Sequence, residues 1–422
     1  MNDYTLSRID ATTRSPELEA WIRAVSLGFL SEDSTPEQID KQVEFLAADA
    51  GRVRAVSYAP ESEAAQLPGA LMAPLSTFLS WDNTINTGGG HLEPANFITD
   101  VTVRQTARRK GLLRTMMMTD LTEAKERGQS LAALTVTEAT IYGRFGFGVS
   151  MLHESYEVDI SQGFALRSEP SGSIVQLEPT SAEAAAVWQD TFEVWHRSHR
   201  GSHGASAAHV SSVLGTFDWE TGKVDRKVRA VAHRDEAGVV DGLLTYRIKD
   251  HEELQVIELL ALDPAAELAL WAFIGHHDLV KKATFRRGDP HGPLRWGLVD
   301  ARRLKSTEVR DAMWTRVLDV PAALRARHFE HDGELTITVH DPSGLADGTV
   351  HLRVREGRAQ AEPTSREADL VMGIEAFSSL YLGGLNARVL VGAGRVQGSA
   401  LAVARFDDLF RVAQAPRTLR FF

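Results

Sequence analysis

Residues Val101 to Arg114 read VTVRQTARRKGLLR, and the first fold decision rests on them. The β-branched start is a strand, and the apolar spacing from Leu112 to about Arg127 is a helix that Gly128 stops. Between them lies a loop that feeds a helix N-terminus. Backbone N–H groups there lack partners inside the helix, and the helix dipole favours negative charge. Arg108, Arg109 and Lys110 nevertheless crowd that end, where cations oppose the dipole. An exposed basic cap on an ordinary helix is the plain alternative. Three clustered cations are better explained by a bound anion, and Gly111 lets a phosphate come close to the backbone.

Working outward, strands are expected at Val53–Ala59, Leu71–Leu79 and Asn96–Val103, with helices at Glu17–Phe29 and Pro36–Ala47. Beyond Gly128 come a strand at Leu131–Val136, a short helix at Glu138–Arg144 and a strand at Gly146–Val158. Leu254–Val280, LQVIELLALDPAAELALWAFIGHHDLV, repeats the strand–loop–helix rhythm of Asn96–Leu121 without the basic, glycine-containing loop. This points to a diverged internal duplication. From about residue 309 the character changes to short alternating strands with Asp-Gly and Pro-Ser-Gly turns: TRVLDV, GELTITVHD and TVHLRVREG. Three domains are expected at 1–165, 166–308 and 309–422, as suits 422 residues at roughly 150 per domain.

Composition narrows the function. Apolar residues make up 43% and charged residues 24%, as in a soluble globular protein. The 46 Lys+Arg against 57 Asp+Glu leave a net charge of −11, which suits a cationic or small-molecule partner and not nucleic acid. There is no cysteine, so disulfides, thiolate metal sites and a cysteine nucleophile are excluded. No secretory signal and no membrane-spanning run is visible, and the expected compartment is the cytoplasm.

The R-R-x-G-L-L spacing resembles the pyrophosphate loop of the GCN5-related N-acetyltransferases, which bind acetyl-CoA. The resemblance implies that Arg108, Arg109, Gly111 and Leu112 hold the pyrophosphate, that Val101 and Val103 flank the acetyl-pantetheine arm, and that Thr137 hydrogen-bonds it. In TVTEATIYGRFGFGVS (Thr135–Ser150), Tyr142 stands where such enzymes carry a general acid for the departing thiolate. A phenol of pKa about 10 can donate to a thiolate of pKa about 8.5 to 9. A buried tyrosine that merely meets a carbonyl is the alternative.

GLLR after the arginine pair, IYGRFGFG, the degenerate second copy and the C-terminal α+β module together resemble the enhanced intracellular survival (Eis) acetyltransferases along essentially the whole chain. That resemblance implies an α+β fold of two fused acetyltransferase-like domains, the second without cofactor, plus a sterol-carrier-protein-like domain. It implies acetyl transfer from acetyl-CoA to an amine, whether aminoglycoside-like, polyamine-like or a lysine side chain, by a homo-hexamer without metal. It also implies that the carboxylate of the last residue, Phe422, reaches the first domain as general base. The apolar ending Leu419-Arg420-Phe421-Phe422 fits a docked end, since termini are ordinarily frayed and polar. Such a carboxylate has an intrinsic pKa of about 3.3 to 3.7, which burial must raise.

Some relatives carry an acid before the terminal Phe. Phe421 stands there instead, which puts aminoglycoside affinity in question. Glu32 and Asp33 are candidates to charge the acceptor pocket, or else solvated loop residues. His196, His199 and His203 have helical spacing but no companion carboxylate, and are expected at the surface, not on a metal. Gly88-Gly89-Gly90 is expected as a flexible loop, and Met116-Met117-Met118 as core packing. Two rival functions stay open: a lipid or sterol-type carrier with a vestigial transferase half, and a scaffold in which CoA is structural.

Overall fold

The computed structural model describes residues 3–422. Twelve strands form one sheet: β1 (Tyr4–Ile9), β2 (Arg52–Tyr58), β3 (Ser76–Gly88), β4 (His91–Val103), β5 (Leu131–Leu134), β6 (Gly148–Asp159), β7 (Ser173–Leu177), β8 (Arg229–Arg234), β9 (Val240–Lys249), β10 (Glu253–Ala261), β11 (Lys282–Gly288) and β12 (Leu304–Val317). Their order is β1-β2-β3-β4-β5-β12-β6-β11-β10-β9-β8-β7. This is one arrangement used twice, back to back. In each half the fourth and fifth strands, β4–β5 and β10–β11, run parallel, and the other pairs of the sheet are antiparallel. Each half also lends its last strand to the other: β12 pairs with β5, and β6 with β11. The expected duplication is therefore visible as topology.

That exchange changes the expected partition of the chain. The boundary at 308/309 cuts through β12, and Thr315–Val317 of TRVLDV pair with Leu131–Ala133 in the large sheet. The third unit begins after this strand. It is a five-stranded sheet of β13 (Gly333–His340), β14 (Gly348–Arg355), β15 (Arg358–Pro363), β16 (Leu370–Gly373) and β17 (Val396–Gly398), ordered β15-β14-β13-β16-β17. Leu335, Ile337, Phe377, Phe406 and Phe410 fill its interior, continuous with a core that reaches Trp21 and Trp81 of the first domain.

The helices that matter to the site start where the sequence places caps. Ser15 accepts from Leu18 N ahead of α1 (Pro16–Gly28), and Thr35 and Gln38 form a capping box on α2 (Pro36–Ala48). Helix α3 (Leu112–Glu126) has no side-chain cap and no acid in its first turn. It is aimed by a buried polar knot instead. Arg54 on β2 pairs with Asp120, which also accepts from Ser80 Oγ and Asn96 Nδ2, each at 2.6 Å. Removing one partner from such a buried pair costs about 3 to 5 kcal/mol. Met116 and Met117 are buried in the core beneath α3, as expected, and Met118 packs at its edge.

Gly88-Gly89-Gly90 is not a slack loop. All three have positive φ (+105°, +60°, +76°) and make the tight turn of the long β3–β4 hairpin. A Cβ on Gly88 would overlap the Arg200 guanidinium at 2.1 Å, so the turn is packed.

Candidate functional site

The parallel pairing of β4 with β5 is short. Ala95–Ile98 meet Leu131–Leu134, and beyond that point the strands part. Thr99 is the first residue of one prong and Thr135 the first of the other. Two cavities flank this fork. One of about 660 Å³ is lined by Val101, Val103, Arg108, Arg109, Gly111, Leu112, Thr137 and Tyr142. The residues expected to bind the cofactor are thus brought together on one side. The other, of about 450 Å³, is lined by Trp81, Thr99, Asp100, Arg420, Phe421 and Phe422, among others. Strand β4 is the shared wall: Thr99 and Asp100 face one cavity, and Val101 to Val103 face the other.

The first of these cavities, hereafter the cofactor side, gathers cations around an uncapped helix end. Gly111 caps α3 in the left-handed region (φ +82°), and a Cβ there would meet nothing within 4 Å. Protein packing therefore leaves space above Gly111, next to the uncapped amides of the first turn, where a phosphate fits. Arg108, Arg109, Arg114 and Arg144 line the same cavity. Lys110 does not. Its Nζ donates to the Tyr4 hydroxyl at 2.6 Å and lies 5.3 Å from that ring's centroid. The second half lacks this cradle for a visible reason. Asp263 caps α5 (Pro264–Gly275) by accepting from Ala265 N (2.8 Å) and Ala266 N (2.9 Å), so a carboxylate of the chain itself occupies the helix end.

Tyr142 closes α4 (Ala139–Tyr142) and is buried, with Phe147 edge-on at 6.3 Å. Burial pushes its pKa up to about 12, and the Glu138 charge adds to this. The phenol therefore keeps its proton at any physiological pH.

The chain end is docked at the fork. Phe422 O accepts from Thr135 Oγ1 at 2.7 Å and from Thr99 Oγ1 at 3.4 Å. The Phe422 ring sits among Phe97 (4.7 Å), His203 (4.9 Å) and Trp81 (5.6 Å). The segment leading there lies mainly against the second half. His153 Nε2 donates to Thr418 O at 2.8 Å and His203 Nε2 to Arg420 O at 3.2 Å. Arg417 meets Glu267 at 3.3 Å, and Arg420 faces Glu258 at 3.8 Å.

Two expectations need correction. His196, His199 and His203 are buried, not superficial. His196 hydrogen-bonds with Ser202 Oγ (2.7 Å) and Thr84 Oγ1 (2.9 Å), and His199 with Trp195 O (3.0 Å). Burial pushes His196 down to about 3 and His199 to about 4, so both stay neutral, and among the described residues no metal-holding group occurs. Glu32 and Asp33 line neither cavity, and Asp33 pairs with Arg23. The acids that do line the acceptor-side cavity are Asp49 and Asp100, neither marked by any motif. Arg114, Thr135 and Arg144 stand inside the motifs GLLR, TVTEATIYGRFGFGVS and IYGRFGFG, which by themselves assign them no role.

Comparison with known proteins agrees with this architecture. Residues 11–150 and 215–317 each match an acetyltransferase (GNAT) domain family, and residues 320–418 match a sterol carrier protein domain family. An uncharacterized N-acetyltransferase of Streptomyces griseus is 33% identical, over 97% of this chain and 98% of that protein. The N-acetyltransferase Eis of Mycobacterium tuberculosis is 30% identical, over 83% of this chain and 85% of that protein. Among solved structures, Eis1 from Mycobacterium abscessus superposes with a TM-score of 0.79 at 22% identity, covering 99% of this chain and 100% of that one.

Proposed function

This chain belongs to the Eis family of GCN5-related N-acetyltransferases and is an acetyl-CoA-dependent N-acetyltransferase, and we propose that it moves acetyl directly to a primary amine in a ternary complex, with the Phe422 carboxylate as general base and Tyr142 as general acid. The observation that carries this reading is the seat of Phe422 between Thr99 and Thr135, at the fork that separates the two cavities.

Acetyl-CoA supplies an activated acyl group on a good leaving thiol. Arg108, Arg109 and the amides at Gly111 and Leu112 hold its pyrophosphate, with Arg114 beside them, while Val101, Val103 and Thr137 border the pantetheine arm. The amine attacks only when neutral, so the Phe422 carboxylate takes its proton. Thr99 and Thr135 orient that carboxylate and leave it a free lone pair. Backbone N–H groups of Val101 to Val103 border the cofactor-side cavity as donors for the carbonyl oxygen as it gains charge. Tyr142 gives its proton to the departing thiolate. Its high pKa keeps it protonated until the sulfur gains charge on leaving.

The acceptor classes in this reading are aminoglycoside-like amines, polyamines and lysine side chains, and the compartment is the cytoplasm. Among the described residues no helix is long and apolar enough to cross a membrane. A homo-hexamer belongs to the same reading. Leu279 and Trp296, 80% and 78% exposed, supply apolar surface of the kind assemblies cover. The test is a calorimetric acetyl-CoA titration followed by thiol release over an amine panel. Tight binding with acetylated product supports the reading. Binding without transfer to any amine refutes it.

A further inference from the structure

The acceptor-side cavity holds a carboxylate that the mechanism above does not use. Asp100 sits on an irregularity of β4, where the register against β3 shifts between Thr77 and Leu79. It lies between Thr99, which holds the chain end, and Val101, which faces the cofactor side. Its backbone has φ of +51°, a conformation Asp tolerates better than most residues, and Thr77 Oγ1 donates to its carbonyl at 2.8 Å. Its carboxylate has no hydrogen-bond or ion-pair partner among the described residues. Burial pushes its pKa up to about 6. Backbone strain together with an unpaired, half-buried acid is costly, and such combinations are retained where a ligand uses them.

The duplicated half shows what an acid at this position does. The parallel pairs begin at Ala95 against Leu131 in the first half and at Glu253 against Lys282 in the second. Counted from those starts, Asp100 and Glu258 occupy the same place, each beside the register shift of its strand. Glu258 accepts from Trp188 Nε1 (2.9 Å) and His209 Nε2 (2.8 Å) and faces the guanidinium of Arg420 at 3.8 Å. There the acid holds a cation that the chain itself supplies. In the first half the corresponding acid faces a cavity.

The other charged groups of that cavity are already engaged. Asp49 receives Ala207 N–H on both oxygens (3.1 and 3.3 Å). Arg420 is balanced by Glu258, and His209 stays neutral because burial pushes it down to about 4. Two carboxylates remain to meet an amine: Asp100 and the chain end. Phe45, Leu79, Trp81 and Trp219 make the rest of the wall largely apolar.

We propose that Asp100 is the ammonium-binding residue of this cavity, and that the acceptor is a primary amine with a single cationic head on an apolar or aromatic body. This rests on the transferase reading above. The ammonium docks with one N–H on Asp100 and another on the Phe422 carboxylate. One proton passes to Phe422, and the neutral nitrogen stays hydrogen-bonded to Asp100. A polycation brings further charges for which the wall offers no free carboxylate.

The full-length protein is tested with 2-phenylethylamine and its neutral counterpart 2-phenylethanol. Binding is followed by the fluorescence of Trp81 and Trp219, which needs no turnover, and transfer by steady-state kinetics with saturating acetyl-CoA. Asp100→Asn is the variant, since Asn also accepts positive φ. The parent should bind the amine more tightly than the alcohol. The variant should bind the amine about 10- to 100-fold more weakly, the range of a charge-assisted hydrogen bond, with KM raised to match, and bind the alcohol as the parent does. Its KM should change more than its kcat, because the contact first made is one of binding. In the parent the amine KM should rise as pH falls through about 6, and in the variant this rise should vanish. Unchanged amine binding by the variant overturns the proposal, as does a parent that prefers spermidine to 2-phenylethylamine. If the fluorescence contrast holds but no amine is acetylated, the Asp100 site stands and the transferase reading falls.

Discussion

Amidation of Phe422 isolates the group proposed as base, because it removes the charge and keeps every other atom of the chain. The geometry sets the expected size of the effect. Thr135 Oγ1 lies 2.7 Å and Thr99 Oγ1 3.4 Å from the Phe422 oxygen, and the ring is held by Phe97, Trp81 and His203. Burying a Phe side chain contributes about 1.5 to 3 kcal/mol, so the end stays docked in the amide. The loss then falls on proton transfer, which is ordinarily worth about 10²- to 10⁴-fold. A glycine added after Phe422 displaces the charge by about 3.5 Å, more than the length of the Thr135 contact, and should be nearly as damaging. Deleting Phe422 should do more, since it also removes the ring. The assay is colorimetric detection of released thiol. Because the chain contains no cysteine, the signal comes from CoA alone. Acetyl-CoA binding should be equal in all forms, as the Arg108–Gly111 loop is untouched. An amide as fast as the acid across the pH range, at saturating amine, would refute the carboxylate as base.

Arg109→Ala should weaken acetyl-CoA binding about 10- to 100-fold by calorimetry, and Gly111→Val at least as much, because the space above Gly111 is open only until a side chain enters it and its φ of +82° suits glycine. If both bind like the parent, the cradle has another ligand. Tyr142→Phe should lower turnover about 10²- to 10⁴-fold with acetyl-CoA affinity unmoved, and an unchanged rate would reduce Tyr142 to packing. His153, His199 and His209, each pushed by burial down to about 4, bind fewer protons folded than unfolded between pH 6.5 and 4. Stability should therefore fall with pH through that window, by up to about 1.4 kcal/mol per unit for each histidine. Guanidinium midpoints that coincide at pH 7.5 and 5 would contradict this.

What could be read in the sequence was what local physics dictates. The strand, basic loop and uncapped helix at Val101–Leu112 carry their own signature, because three cations at a helix N-terminus conflict with the dipole unless an anion answers them. Even there the backbone had the last word, since Lys110 carries the right charge and turns to Tyr4. The strand exchange was not legible. Nothing in TRVLDV reports that its partners lie in LAAL, some 180 residues earlier in the chain, because register is set by pairing at a distance. The histidines misled for a related reason. His196 is enclosed by Thr84 and Ser202, and His203 by the C-terminal segment at Arg420 and Phe422, neighbours that no spacing records. Asp100, Thr99 and Thr135 are single residues of common types. Only the parting of β4 from β5 gives them a site.

The two halves of the duplication have divided the work of one site. In the first, Gly111 leaves a helix end uncapped and Asp100 leaves an acid unpaired beside a cavity. In the second, Asp263 closes the helix end and Glu258 is occupied by His209, Trp188 and Arg420. The closed half is not idle. Glu258 and Glu267, buried in its core, hold Arg420 and Arg417, and those two arginines bracket the last stretch of chain that carries Phe422 to the fork. A helix end closed by the chain's own carboxylate in one copy thus coincides with a grip on the segment that seats Phe422 in the other. A consequence follows for mutagenesis. Glu267→Gln lies in neither cavity, yet weakens the hold on Arg417, and should lower turnover while leaving acetyl-CoA affinity alone. Equal turnover in that variant would mean that the aromatic seat of Phe422 suffices to place the chain end.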